Sequence, residues 1–338
     1  MIGNSIIRIA AAAAGALLIG AGCTARLDPA VEAGGEAIGF SAGSALLRDD
    51  ATKAPLESRT TFGVFAFYQP GTPGAPGAWN GSRTPDFMFN VPVYYDGSAY
   101  TYSPVRFWPA RQNTLSFWAY CPYEENPDFI RSGRSEAYTS TTPGVPDIRF
   151  SVSDGTVDLM TSDILKSLTS AVGTVQFTFH HALSLIDIRV NKQDPESKFT
   201  VKLKSVRLDG LYLTGKLNNS SGWGSLADDG SFTVFSGNKV LAETPSYDAL
   251  DGVMLIPQNL EREDAKLRVE FSLTPVGGGT ERTAASEVLL SEVFEDSSAV
   301  WEKNKHYTLT LTIAPDDPIA FSVEWSDWGD VYNWHITS

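Results

Sequence analysis

The sequence holds few residues of the types that catalysis or metal binding requires, and their spacing favours neither. None of its histidines has a second histidine four residues away on a helix, or the cysteine partners that a zinc site needs. We therefore expect no metal and no cofactor. Strand parity places His181 on the inward face with Phe179 and Leu183, which predicts a partly buried, hydrogen-bonded core histidine. The four histidines are His180, His181, His306 and His335.

Residues 39–43 (GFSAG) match the G-x-S-x-G pattern of a nucleophile elbow, which places a serine at a sharp turn from a strand into a helix. That context is missing here, so we interpret the match as chance. The acidic pairs Asp228-Asp229 and Asp316-Asp317 are typical of solvated loops and lack the ligand spacing of a calcium loop. We expect no catalytic residues and no enzymatic activity.

Charge and composition exclude several classes of function. The 338 residues include 26 Lys and Arg against 40 Asp and Glu, a formal net charge of −14. No block of basic residues supplies a local footprint for nucleic acid, so binding to nucleic acid is not expected. Hydrophobic residues make up 42% of the chain, which is typical of a globular protein and excludes a disordered or collagen-like one. The length suggests about two domains.

The N-terminal segment has the architecture of an export signal. Arg8 precedes an apolar run that ends in small residues, and the run is about half of the ~20 residues that a membrane span needs. Residues 19–23 (IGAGC) resemble a bacterial lipobox, which predicts a signal peptide over 1–22 and a lipid on Cys23. An ordinary secretory signal is the alternative. Residues 23–37 should form a tether between the membrane and the folded part.

Cys121 has no partner for a disulfide if Cys23 carries lipid, because the sequence contains only these 2 cysteines. We expect the Cys121 side chain to be a small buried hydrophobe at the end of a strand.

The folded part is predicted to be all-β. Apolar and polar side chains alternate over short runs such as 115–119, 267–273 and 307–313, as they do in antiparallel sheets with one buried face. Turn signals between the runs should close hairpins or loops. These signals are Asp96-Gly97, Asp154-Gly155, Asp209-Gly210, Asp229-Gly230 and the glycines at 277–279.

Three further expectations concern the middle of the chain. Residues 162–172 suggest one short helix. The runs 175–190 and 201–213 each change the parity of their apolar side chains, which predicts a bulge in each and pairing between them. We place a domain boundary just before these runs, giving an N-terminal β-sandwich over 38–172 and a C-terminal β-sandwich over 173–338.

An aromatic stretch has two interpretations. Residues 94–102 and 107–109 are rich in Tyr, Phe and Trp, and these side chains would suit a surface on which sugars stack. The other interpretation is a hairpin that turns at Asp96-Gly97 and carries cross-strand aromatic pairs. We favour the hairpin.

A series of short motifs follows in order along the mature chain. They are IGFS (38–41), ATKA (51–54), FGVFA (62–66), YSP (102–104), FWP (107–109), LSFWAY (115–120), DLM (158–160), FHHAL (179–183), MLIPQ (254–258) and the run 301–313. Taken together, their order and spacing resemble the fimbrillin (Mfa-like) family of Bacteroidales lipoproteins, the subunits of type V pili. The resemblance extends over nearly the whole mature chain.

The resemblance implies two transthyretin-like antiparallel β-sandwich domains in tandem. It also implies export through the periplasm as a lipid-anchored precursor that reaches the outer membrane and the cell-surface fimbria. There a protease specific for arginine or lysine removes an N-terminal strand, and the groove that this opens accepts a donor strand from the next subunit. The implied function is that of a structural fimbrial subunit whose partners are other fimbrial subunits.

These steps map onto positions of this sequence. The removable strand would be 38–46, and the cleavage position would be Arg48 or Lys53. The donor strand would lie within 321–336. Its apolar side chains are Phe321, Val323, Trp325, Tyr332, Trp334 and Ile336.

Other roles remain open from the sequence. An anchor subunit would keep its N-terminal strand and hold the base of a fibre at the membrane. A tip adhesin or glycan-binding lipoprotein would use exposed aromatic side chains to bind a host or bacterial surface ligand. A surface hydrolase would need histidine, aspartate and serine, or two carboxylates, to converge in a pocket.

Overall fold

The computed structural model describes residues 35–42, 61–110, 112–192, 198–241, 248–294, 299–313 and 320–328. Strands make up most of this part of the chain. Its helical elements are one short helix, α1 (Leu290–Val293), and one 3-10 turn (Ser170–Val172). The predicted all-β class is therefore confirmed.

The strands of the N-terminal half are short to medium in length. In chain order they are β1 (Gly39–Ala42), β2 (Thr61–Gln69), β3 (Met88–Tyr95), β4 (Tyr100–Thr101), β5 (Thr114–Cys121), β6 (Phe129–Ile130), β7 (Asp147–Ser151), β8 (Met160–Ser162), β9 (Leu165–Leu168), β10 (Thr174–Phe177) and β11 (Phe179–His181).

The C-terminal half contains longer strands. They are β12 (Ser184–Lys192), β13 (Phe199–Asn218), β14 (Gly222–Val240), β15 (Asp248–Leu255), β16 (Lys266–Pro275), β17 (Arg282–Leu289), β18 (Lys305–Ile313) and β19 (Ala320–Asp327).

The N-terminal half is built on one 7-stranded sheet in the order β11-β8-β5-β2-β3-β4, with β9 also paired to β5. Facing it is a small parallel pair, β1 with β10. The side chains between these two layers form a first core, to which β2 contributes Phe62 and Val64 and β5 contributes Phe117. A β-sheet has two faces and must cover both when both are apolar.

The second face of this sheet carries Phe65, Phe67, Trp118 and Tyr120, and it packs into a second and larger core. That second core continues through the C-terminal half, where it lies between a 4-stranded sheet (β15-β12-β18-β19) and a 6-stranded sheet (β17-β16-β13-β7-β6, with β14 paired to β13). The two halves are therefore joined by packed apolar side chains.

The helix predicted over 162–172 is wrong. Leu165 and Leu168 instead lie on strand β9 and pair with β5, so that only the turn at Ser170–Val172 is helical. Ser162 does not cap a helix, because its hydroxyl accepts a hydrogen bond from the amide of Ala119. Pairing to a sheet edge outweighs a weak local helix propensity.

The predicted pairing between the runs 175–190 and 201–213 is also wrong. The first run is divided among three strands in different layers, and its last part, β12, pairs with β15 and in parallel with β18. The second run lies in β13, which pairs with β14, β16 and β7. The bulges themselves are confirmed, since the register shifts between Ile186 and Ile188 and between Leu203 and Ser205.

The turn signals divide into two groups. Asp96-Gly97 closes the β3–β4 hairpin, and the glycines at 277–279 connect β16 to β17, as predicted. Asp209-Gly210 and Asp229-Gly230 lie instead within β13 and β14. Gly210 has φ +65° there, and a Cβ on it would lie 2.2 Å from the carbonyl oxygen of Asp264, so glycine serves a close approach of two backbones.

Side chains from both sides of the boundary predicted at 172 pack into the first core. Strand β10 and Phe179 of β11 belong to the first core, whereas β7 pairs with β13 in the sheet of the C-terminal half. The chain passes from the first core to the second near Ala182. The division into two tandem transthyretin-like domains stays a prediction.

Candidate functional site

Strand β1 lies in a groove between two neighbours. On one side it pairs in parallel with β10. On the other side, the amide of Ile38 donates to the carbonyl oxygen of Arg106 at 2.9 Å, and the amide of Trp108 donates to that of Glu36 at 2.9 Å. The space between β10 and residues 106–108 is called the β1 groove below. Backbone pairing thus begins at Glu36, within the segment predicted as tether.

Two side chains of this segment fill the β1 groove. Ile38 is 2% exposed and Phe40 is 5% exposed. The ring centroid of Phe40 lies 5.1 Å from that of Tyr102 and 5.9 Å from those of Phe117 and Phe177. Burial of such a side chain contributes about 1.5–3 kcal/mol, so Ile38 and Phe40 are the two apolar anchors of the strand.

Tyr102 ties the strand to the opposite wall of the groove. Its hydroxyl donates to the carbonyl oxygen of Ile38 at 2.8 Å and accepts from the amide of Arg106 at 3.2 Å. Burial raises the pKa of Tyr102. The hydroxyl therefore keeps its proton, which it needs in order to donate to the Ile38 carbonyl.

The two predicted cleavage residues, Arg48 and Lys53, lie outside the described residues. By number, both belong to the connection between β1, which ends at Ala42, and β2, which begins at Thr61. A cut at either position would leave β1 held to the rest of the protein by noncovalent contacts alone.

The predicted donor segment divides into two parts. Phe321, Val323 and Trp325 lie on β19, which pairs antiparallel with β18 of the same chain, and Val323 packs against the second core. Residues 321–325 thus belong to a strand of the chain's own sheet. Strand β19 is the edge of that sheet among the described strands. The remaining residues, Tyr332, Trp334 and Ile336, lie outside the described residues, as does Cys23.

A buried polar contact fixes the point where β19 ends. His181 is 8% exposed and its Nδ1 lies 2.8 Å from Oδ1 of the buried Asp158, which confirms the predicted hydrogen-bonded core histidine. The indole of Trp328 stacks on the imidazole at 3.9 Å and 10°. Within the described part of the chain, Oδ2 of Asp158 and Nε1 of Trp328 have no hydrogen-bond partner. The contact joins three segments that are distant in sequence.

Sequence reasoning found His181 but missed its two partners. Asp158 begins the DLM motif, where an acidic residue directly before an apolar run was the available signal. Trp328 carried no signal of this kind, because its contact depends on the return of β19 to the start of the C-terminal half.

The aromatic stretch forms the predicted hairpin, with Tyr95 paired to Tyr100 and the turn capped by Asp96, whose carboxylate accepts from the amides of Ser98 and Ala99. Tyr94 is 47% exposed, while Trp108 is buried. None of the tryptophan side chains that the structure describes is exposed. The described residues therefore offer no surface of exposed tryptophan side chains on which a sugar could stack.

The other groups with chemical potential are dispersed. His306 Nε2 lies 2.8 Å from Oδ2 of Asp187, and His180 lies 3.7 Å from Asp163. Ser41 lies on strand β1. Within the described ranges, no three residues among His, Cys, Asp and Glu are placed to hold a metal ion. Cys121 is buried, as predicted, with its thiol 3.7 Å from the carbonyl oxygen of Thr61.

The described part of the chain has no helix with the length and apolar character to cross a membrane.

Comparison with known proteins identifies a matching family and solved structures with a similar fold. The sequence model of the family described as fimbrillin-like matches residues 50–328. The chain is 32% identical over 149 residues to fimbrium subunit Fim1C of Phocaeicola vulgatus, an alignment that covers 40% of this chain and 38% of that relative. The match thus spans less than half of the relative's length.

Two solved structures share the fold. A fimbrial protein from Bacteroides vulgatus superposes with a TM-score of 0.61 at 21% identity, covering 87% of this chain and 99% of that one. A candidate cell adhesion protein from Bacteroides uniformis superposes with a TM-score of 0.54 at 15% identity, with the same coverage of 87% and 99%.

Proposed function

Because this chain belongs to the fimbrillin-like family, we propose that it is a structural subunit of a cell-surface fimbria that assembles by exchange of strands. Its partners are other fimbrial subunits, and it has no catalytic role. The precursor loses a signal peptide over 1–22, carries lipid on Cys23 and reaches the outer membrane before assembly. A protease that cuts at Arg48 or Lys53 then frees the segment that contains β1.

The β1 groove is the observation that carries this proposal. Loss of β1 would leave one edge of β10 unpaired and would empty the socket of Phe40, which Tyr102, Phe117 and Phe177 line. An open edge with apolar sockets is the acceptor that strand addition requires. The segment that fills the groove contains β1, and residues 43–60 connect it to β2. A single cut in this connection would therefore leave no covalent link between β1 and the rest of the protein.

The donor is the segment that follows β19. Tyr332, Trp334 and Ile336 alternate with polar residues, so their side chains would all face one side of a strand. The pairing of β19 within its own sheet and the stack of Trp328 on His181 support a donor segment that begins after Trp328. Each large side chain that docks in the groove would contribute about 1.5–3 kcal/mol, less the cost of ordering the segment.

The proposal treats the chain as two tandem β-sandwich domains of the transthyretin-like type. The predicted division was 38–172 and 173–338. The packing of β10 and Phe179 supports a boundary near 181 instead.

Limited digestion with trypsin tests the proposal. The chain from residue 23, made with Cys23→Ser so that no lipid is attached, is digested and followed by intact mass and native gel electrophoresis. We expect a cut after Arg48 or Lys53, an otherwise intact body, and a ladder of polymers. The triple variant Arg48→Gln, Lys53→Gln, Arg59→Gln leaves trypsin no site between β1 and β2, so it should stay uncut there and remain monomeric. Arg59→Gln alone is the matched control and should polymerise like the parent chain.

A cut chain that stays monomeric would overturn strand exchange and would favour the alternative of a tip adhesin or glycan-binding lipoprotein. Polymers that form equally from the uncut triple variant would show that removal of β1 is not the trigger.

A further inference from the structure

A trough of about 440 Å³ lies on the sheet surface where β7 and β14 flank β13. Along this part of β13, Leu217 pairs with Ile148 and Lys216 pairs with Arg149. Leu217 and Ile148 are both buried, and successive side chains of a strand alternate between faces. Lys216 and Arg149 therefore project together from the opposite face, where they line the trough.

This pair of basic residues is unusual in a protein with a net charge of −14. Like charges directly opposite each other on paired strands are destabilising. No carboxylate in the described part of the chain lies within ion-pair distance of Lys216 Nζ. The Arg149 guanidinium makes two long contacts, 3.5 Å to Asp128 and 3.3 Å to the carbonyl oxygen of Ser135. Contacts of that length are weak, so both cations can turn to a ligand.

The same trough also offers hydrogen-bond acceptors and a hydroxyl. Asp228 and Asp128 line it, and the hydroxyl of Thr214 donates to Oδ2 of Asp228 at 2.9 Å. On the rim, Ser225 and Asp228 have φ +50° and +57°, a left-handed conformation that costs free energy for residues other than glycine. Such strain is typical of ligand sites, where it sets the direction of side chains.

We propose that this trough binds a sugar residue that carries a carboxylate, such as a uronic acid or a sialic acid, within a surface glycan. Arg149 and Lys216 would bind the carboxylate, with the planar guanidinium suited to a two-point contact. Asp128 and Asp228 would accept hydrogen bonds from the sugar hydroxyls. A plain anion such as sulfate fits less well, because it has no hydroxyl groups that could donate hydrogen bonds to the two carboxylates. The volume matches a small ligand and not a protein surface.

This site is separate from the β1 groove, so it would bind its ligand whether or not strands are exchanged between subunits. Its test uses the uncut chain from residue 23 and isothermal titration with glucuronic acid and N-acetylneuraminic acid. The matched probes are glucose, which lacks the carboxylate, and inorganic sulfate, which lacks the sugar. We expect saturable binding of at least one acid sugar, with at least tenfold weaker binding of glucose and of sulfate.

Variants locate the binding. Lys216→Gln and Arg149→Gln should each weaken it at least tenfold, while Lys166→Gln, an exposed lysine on β9, should leave it unchanged. Lys216→Glu supplies a second readout, because it replaces the repulsive pair with an attractive one across the strands. It should raise the melting temperature and abolish binding, which separates loss of the ligand from loss of the fold.

Three results would overturn the proposal. One is the absence of saturable binding by either acid sugar. Another is equal binding of sulfate, which would indicate a general anion site, or equal binding of glucose. The third is unchanged binding by a folded Lys216→Glu protein, which would place the ligand elsewhere.

Discussion

Phe40 and Tyr102 hold β1 by different physical means. Phe40 contributes buried apolar surface, shared with aromatic rings from three other segments. Tyr102 contributes a neutral hydrogen bond to the Ile38 carbonyl, which would otherwise be buried without a donor on that side. At the scale of single residues, burial of apolar surface and a buried hydrogen bond therefore both stabilise β1.

Truncation of Phe40 tests the apolar anchor. Phe40→Ala should lower the free energy of unfolding of the uncut chain by about 3 kcal/mol or more, because it leaves a cavity among Tyr102, Phe117 and Phe177. Urea unfolding measures this change. Phe89→Ala, at a side chain that is 39% exposed, is the control and should have a clearly smaller effect. Equal losses for the two variants would contradict the assignment.

Buried tyrosines predict a loss of stability at alkaline pH. Burial raises the pKa of Tyr100 to about 12 and also raises that of Tyr102, above the ordinary value of 10.0. The folded state therefore keeps protons that the unfolded chain loses, so the stabilisation is fully present below about pH 10 and falls as the pH rises towards 12. Urea unfolding at about pH 8, 10 and 11.5 measures it. The decline should be shallower for Tyr100→Phe, and identical declines would contradict the assignment.

At the scale of elements, the long hairpin β13–β14 connects the two halves of the molecule through strand pairing and contacts at its tip. One end of β13 pairs with β16, and the other end pairs with β7. At the hairpin tip, Asn219 Oδ1 accepts from the indole of Trp118 at 3.0 Å, and Asn218 donates to Asp147 at 2.6 Å. The tip thereby contacts the second face of the N-terminal sheet, the face that packs into the larger core.

Removal of the hydrogen bond between Asn219 and Trp118 tests whether the hairpin tip holds the two halves together. Asn219→Ala should lower the free energy of unfolding by about 1 kcal/mol and speed hydrogen exchange at the tip, because it leaves the Trp118 indole without its acceptor. Asn238→Ala, at the other end of the hairpin, removes an exposed acceptor of Lys204 and is the control. Equal exchange at the tip in both variants would argue against docking.

Local patterns predicted some elements and could not predict others. Alternation located β5, β16 and β18, and Asp96-Gly97 located a hairpin, because these signals act within a few residues. The parallel pairing of β1 with β10 joins positions more than a hundred residues apart, and no local signal specifies it. The helix predicted over 162–172 failed for the same reason, since the edge of β5 was not visible in the sequence.

For the candidate site, the family resemblance indicated a removable N-terminal strand, but it did not identify the groove. The alternation of large apolar side chains with small ones in IGFS (38–41) was a signal from which burial of Phe40 could have been predicted. Tyr102 and residues 106–108 became part of the site only through the fold, because they contact β1 from a loop. The alternation over 321–325 has two physical uses, an edge strand or a donor, and sequence alone cannot separate them.

At the scale of the whole molecule, the proposed polymerisation would join the segment that follows β19 in one copy to the β1 groove of the next copy. No disulfide is needed in this scheme, since Cys121 is buried and the proposed lipid would occupy Cys23. We expect polymers of the cut chain to persist, with the same ladder on a native gel, in a reducing agent. Collapse to monomers under reduction would contradict a fibre held by strand exchange alone.

The most direct measurement of the central claim is a structure, by electron cryomicroscopy, of polymers assembled from the cut chain. We expect the strand between β10 and residues 106–108 to belong to a neighbouring subunit, with a large side chain in the socket of Phe40 and β1 absent. Polymers in which every subunit still holds its own β1 in the groove would contradict it.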